Sequence, residues 1–217
     1  MKLPVPPNWV PPNLWRPSWE QTRTACRQVA LSPIALSAEV FEQVITRLRE
    51  SHSNGGAHLA AFHVAPDEVF DWFASRNRLL EDSVLTSILS RPEVRHALPD
   101  LLIDPEPEDS ADIPKTGFSA DAKGFTFENP FLVDSHLAFA LYNGGAYWEA
   151  KGDGSSEKQL ALSFCREVFG LRYSDIAYYI SYDAWTKWFS SIAWDWTAII
   201  FDKREHNLWV LAITDTD

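Results

Sequence analysis

Positive charge is scarce in this chain. Lysine and arginine total 19 against 30 aspartates and glutamates, for a formal charge of −11. Duplex nucleic acid is ordinarily held by many cations that displace counterions from phosphates. The balance therefore argues against a nucleic-acid partner, and the same sign disfavours an anionic membrane. Cysteine is limited to Cys26 and Cys165. Without a CxxC pair or a Cys/His quartet, no structural zinc is expected. Cys165, among Leu162, Phe164, Val168 and Phe169, reads as a small core residue, and reduced thiols fit a cytoplasmic protein. No run approaches the roughly 18 apolar residues of a membrane span. The opening MKLPVPPNWVPPNLW has too many prolines for a signal peptide.

Catalytic signatures are also missing. The chain has no GxSxG, GxxxxGK[ST], HExxH or strand-following GxGxxG, so no cofactor is expected. Six histidines, His52, His58, His63, His96, His136 and His206, are scattered. His58 and His63 are five apart, a spacing that gives no shared metal on a strand or a helix. Asp134-Ser135-His136 is contiguous, whereas a triad needs side chains converging from separate places.

What is present is an ordinary globular composition in 217 residues, 46% hydrophobic and 23% charged. That is long enough for one sizeable core. Residues 1–36 differ from the rest, with seven of the 14 prolines, Trp9, Trp15 and Trp19, and a local charge of +3. They read as an extended Pro/Trp-rich arm packed on a single α+β body, 37–217. Residues 104–116, DPEPEDSADIPKT, read as an acidic, proline-rich loop.

Apolar spacing predicts a helix over 37–51 capped by Ser37, then a strand over 57–64. Pro66-Asp67-Glu68 predicts a helix start, because proline lacks the donor that position would waste and the acids suit the dipole. Residues 82–90 and the segment from Pro92 repeat the helical pattern. In the second half, Phe118–Phe127 and Phe131–Val133 read as strands. Asn143-Gly144-Gly145 between LAFALY and AYWEA predicts a hairpin. Ser156 with Gln159 predicts a capping box for a helix over 156–169, closed by Gly170. Asp183 is expected to cap a short helix bearing Trp185, Trp188, Phe189 and Ile192. Residues 196–202 and 208–214 read as central strands, apolar on both faces. The fold expected is α+β, a helical N-terminal half on a mainly antiparallel sheet formed by the C-terminal half.

Two features carry functional suggestions. Between Tyr173 and Trp209 the chain holds eleven aromatic residues, including Tyr178, Tyr182, Trp185 and Trp188, interleaved with Asp175, Asp183 and Asp195. Tyrosine and tryptophan beside carboxylates suit a protein–protein hot spot. With only Lys187 as a cation within 173–200, a basic protein surface is a better match than a nucleic-acid backbone. Asp195 and Asp215 would fall at one end of an antiparallel pair, where two carboxylates could bind a cation or share a proton.

In composition the chain resembles the immunity proteins that neutralise bacterial toxins: small, acidic, α+β and free of catalytic motifs. That resemblance implies capture of a toxin or effector domain by steric occlusion. It carries no residue match and assigns no site. The first expectation is thus a non-catalytic protein that captures a basic partner. A hydrolase with a carboxylate or metal site near the C-terminal strands is the alternative, and a component of a larger assembly is the second.

Overall fold

A computed structural model describes residues 15–105, 124–150 and 152–217. In chain order the elements are α1 (Trp19–Gln28), β1 (Leu31–Pro33), α2 (Glu39–Ser51), β2 (Gly56–Val64), α3 (Glu68–Ser75), α4 (Val84–Leu89), α5 (Pro92–Ala97), β3 (Thr126–Glu128), α6 (Val133–Asn143), α7 (Ser155–Phe169), β4 (Ile176–Ser181), β5 (Trp196–Asp202) and β6 (Asn207–Thr214). The six strands form one antiparallel sheet in the order β1-β2-β6-β5-β4-β3. This is the α+β class expected. The first half also contributes β1 and β2 to the sheet, and the second half contributes α6 and α7 to its cover.

Strand alternation splits the core into two layers. On one face Phe62, Tyr179, Ile199, Phe201 and Val210 meet α3, α4 and α5. On the other, Tyr178, Ile200, Trp209 and Leu211 meet α2, α6 and α7. β5 is buried at every position, as a strand covered on both sides must be. Burying one such large apolar side chain is worth roughly 1.5–3 kcal/mol.

Local chemistry accounts for several ends. Asp67 accepts from the backbone of Val69 and Phe70 and so caps α3. Gly170, at φ +62°, closes α7, and its N–H donates to the Arg166 carbonyl at 2.9 Å. A capping box unnoticed in the sequence, Ser18 with Gln21, opens α1.

Several expectations need correction. Residues 19–28 are helical rather than extended, and Trp15 is 80% exposed. The arm's first 14 residues, positions 106–116 of the acidic loop and the beginning of the Phe118–Phe127 strand lie outside the described residues. Ala38, not Ser37, sits at the α2 cap and makes no side-chain bond there. Gly154 precedes α7, and Ser156 donates to the Glu157 carboxylate instead of closing a capping box. Left-handed Asp82 and Ser83 delay α4 to Val84.

Phe131–Val133 is no strand. Pro130–Leu132 is a 3₁₀ turn leading into α6, with Asn129 Oδ1 accepting from Phe131 N at 3.1 Å. The predicted hairpin is replaced by α6. Leu137, Ala138 and Leu141 bury one helical stripe, and Gly144 alone takes a positive φ, ending the helix. The type I′ turn that Asn-Gly favours would need positive φ at two successive residues. Residues 183–192 form turns and not a helix. Thr186 Oγ1 and the Asp195 carboxylate bind local N–H groups, and Ser191 sits at φ +58°. Side-chain acceptors compete there with the helical ladder.

Candidate functional site

The residues singled out in the sequence separate in space. Tyr178 is fully buried between β4 and α6, its hydroxyl 3.0 Å from His136 Nδ1. Trp185 is core, its indole N–H donating to Thr197 Oγ1 at 2.8 Å. Trp188 is half-buried, edge-on against His58 at 5.0 Å between ring centres. Asp175 is ion-paired with Arg204 at 2.7 Å and lies 3.6 Å from Arg172. Asp183 is exposed, and its backbone N–H donates to Ser181 Oγ. Of the four rings proposed as anchors, Tyr182 alone exposes most of its surface, 57%.

Asp195 and Asp215 do lie at one end of the sheet, yet both are buried and engaged separately. Asp195 accepts from Thr214 Oγ1 and from Ile192 N at 3.2 Å, pinning the 182–195 loop. Asp215 accepts from Asn54 N and Ala146 N, both at 2.8 Å, tying the α2–β2 turn and the loop after α6 to the end of β6. Each carboxylate is used up by its own loop. Among the described residues no three His, Cys, Asp or Glu side chains are grouped to hold a metal. Asp134-Ser135-His136 does not converge either. Asp134 and Ser135 bind Lys158, whereas His136 turns to Tyr178.

The structure does bring together a pocket that the sequence reading missed. It holds about 90 Å³ and lies between α6 and the 182–195 loop. His136, Phe139 and Asn143, one helical stripe of α6, form one wall. Tyr182 and Trp194 line the pocket from the 182–195 loop, with His52, Trp196 and Ile213 also lining it. Phe139 is 66% exposed at the mouth. Exposed Phe131 and Leu132 extend apolar surface at the start of α6, whereas exposed Phe127 packs against Tyr179 on the other face of the sheet.

Among the described residues no lysine or arginine lines the pocket. The charge felt there is negative. Glu128 acts on His136 and Tyr182, and Asp215 on His52. Burial holds both histidines below the usual imidazole range, against the smaller opposing pull of those carboxylates. His52 Nδ1 lies 2.9 Å from the Leu48 carbonyl. A carbonyl only accepts, so Nδ1 carries the proton and Nε2 remains an acceptor. Burial, then Glu128, raises the Tyr182 hydroxyl, keeping it protonated at neutral pH.

Size limits the occupant. Drug-sized ligands occupy roughly 300–1,000 Å³, so this pocket takes one side-chain head. A broader trough of about 480 Å³ beside α2 and the end of α7 pairs Arg166 and Arg172 with Glu167 and Glu205, which leaves it no charge preference.

Part of the site was readable in principle. Leu132, His136, Phe139 and Asn143 fall on one stripe once 132–143 is taken as a helix. The apolar residues around the whole circumference of α6 hid that stripe. No family model and no curated protein matches the chain, so the pocket's own geometry is what speaks to function.

Proposed function

We propose that the protein is a non-catalytic binding protein that captures a basic protein partner across the α6/182–195 groove and acts by covering that partner's surface. The observation that carries this reading is the exposed aromatic groove of Phe139 and Tyr182, with no cation among the described residues of its lining and the Glu128 carboxylate acting on Tyr182 and His136. Its centre supplies aromatic anchors, and Glu128 and the exposed Asp183 lie to the side of β3. Apolar anchors ringed by one sign of charge give affinity and fast, steered encounter with the opposite sign. The net charge of −11 acts in the same direction at longer range.

This moves the contact from the sequence-expected set toward Tyr182, Asp183, Phe139 and Glu128. Tyr178 and Asp195 are buried beside the groove, and Trp185 packs on the other face of the sheet. Toxin neutralisation is a specific form of this proposal, in which the covered surface is an effector's working face.

The test begins with affinity capture at low and high salt, read by mass spectrometry. The captured protein is then titrated against wild type and the Phe139→Ala/Tyr182→Ala variant. The expected result is a basic, stoichiometric partner whose affinity falls with salt and drops at least about 30-fold in the variant, the effect of losing one hot spot. A partner that binds the double variant as tightly as wild type would place the contact elsewhere.

A further inference from the structure

We infer that the small pocket is an arginine-head site, taking one guanidinium of the basic partner between the aromatic side chains of Tyr182 and Trp194. This rests on the binding role proposed above and specifies its chemistry.

Three independent features converge. The first is the lining: Phe139, Tyr182, Trp194 and Trp196 supply four aromatic rings around about 90 Å³. The negative π-face of such rings attracts a cation within about 6 Å, most strongly for tryptophan. The second is charge. Among the described residues the lining contains neither lysine nor arginine, and Glu128 projects its charge onto Tyr182 and His136. A neutral apolar side chain would gain nothing from that field. The third is hydrogen bonding. The proton on His52 Nδ1 is committed to the Leu48 carbonyl, so Nε2 of this buried ring can only accept. Asn143 in the lining can accept as well as donate, while the buried Trp196 indole N–H is a donor without a partner among the described residues. A donor-only head group matches the His52 acceptor.

Guanidinium fits better than ammonium. It is planar, carries five donors, is weakly hydrated and stacks on aromatic faces, whereas ammonium surrenders a tighter hydration shell on entry. The volume admits the head group and excludes a larger ligand.

The test uses the full chain and needs no partner. N-acetyl-arginine methylamide is titrated by NMR against its neutral isostere, N-acetyl-citrulline methylamide, and against N-acetyl-lysine methylamide. The expected order is arginine, then lysine, then citrulline, with arginine about tenfold tighter than citrulline, the scale of a desolvated cation–π contact. Shifts should fall on α6 and 182–195. Tyr182→Phe keeps the ring and should retain binding. Tyr182→Ala at this exposed position should lose it, and Glu128→Gln should weaken arginine without touching citrulline.

Equal binding of arginine and citrulline, or no binding of any probe, overturns the arginine assignment. A basic partner lost on Phe139→Ala/Tyr182→Ala, without arginine preference in the probes, would sink this inference alone. Arginine preference with no basic partner captured would sink the functional reading and leave the pocket chemistry standing.

Discussion

Replacing Asp71 with asparagine should stabilise the protein, and only above mildly acidic pH. Asp71 lies on α3 with 6% of its surface exposed, and its Oδ1 has no hydrogen-bond partner among the described residues. Its nearest opposite group is His206 Nδ1 at 3.7 Å. Burial, assisted by the Asp67 carboxylate, raises the Asp71 pKa from 3.8 to about 7. Burial also holds His206 below its ordinary 6.5, so the imidazole is neutral where Asp71 ionises and offers no compensating charge. Between about pH 4 and pH 7 the unfolded chain has released a proton that the folded chain keeps. Stability attributable to this group is therefore full at low pH and falls as pH rises through that window.

Asparagine keeps the shape and removes the charge. One pKa unit is worth about 1.4 kcal/mol, which caps the effect near 4 kcal/mol. Solvent screening brings the expected gain to about 2 kcal/mol at about pH 8, vanishing near pH 4. Urea unfolding at about pH 4, 6 and 8 reads the difference directly. A gain independent of pH, or a variant less stable at pH 8, would refute the reasoning. Because α3 covers the opposite face of the sheet from the groove, partner capture should not change.

Asp215→Asn should cost about 2–3 kcal/mol in urea unfolding, since an amide can accept from only one of the two backbone N–H groups that the carboxylate now satisfies. A loss below about 0.5 kcal/mol would mean that those bonds contribute little. Gly145→Ala should destabilise by a comparable amount, because a β-carbon there would collide with that same carboxylate; a neutral result would show that the loop gives way freely. Acidification should release the captured partner. Below the usual imidazole range His52 and His136 take up protons, despite the burial that opposes them, and place positive charge in the pocket. Affinity measured between about pH 5 and pH 8 should fall toward acid and flatten in His136→Gln, and tighter binding at acid pH would contradict this. Cys165, buried and with its thiol pushed up by burial and by Asp134, should resist thiol reagents until the chain unfolds; labelling of the folded protein at this residue would disprove that.

The central strands were legible because β5 and β6 are apolar on both faces, a pattern that neither an edge strand nor a surface helix shows. Helix starts were legible where a side chain dictates them, as at Asp67, and where glycine ends them, as at Gly170. The mistakes around α6 share one cause. Short apolar runs such as LAFALY are compatible with either period, and Asn-Gly ends a helix as readily as it turns a hairpin. Tertiary contacts decided both: Leu137 and Leu141 had a sheet face to bury against, and Asp215 required Gly145 beside it. Within the aromatic-rich segment, sequence could mark Tyr182 but could not separate it from buried Trp185, twelve positions before its hydroxyl partner Thr197. Exposure is a property of the assembled layers, and Phe139 became visible as an anchor only when α6 was seen lying beside the 182–195 loop.

The pairing of β2 with β6, Gly56 opposite Thr214 through His63 opposite Asn207, has a consequence for how the molecule comes into being. During synthesis β2 emerges long before its partner exists. Until β6 follows, AHLAAFHV is an apolar, β-prone segment with one open side in the middle of the future sheet. Only short β1 can pair with it on the other. Non-local pairing of this kind folds slowly and exposes its edges meanwhile. The chain is thus most prone to aggregate in the interval after β2 has emerged and before β6 pairs with it.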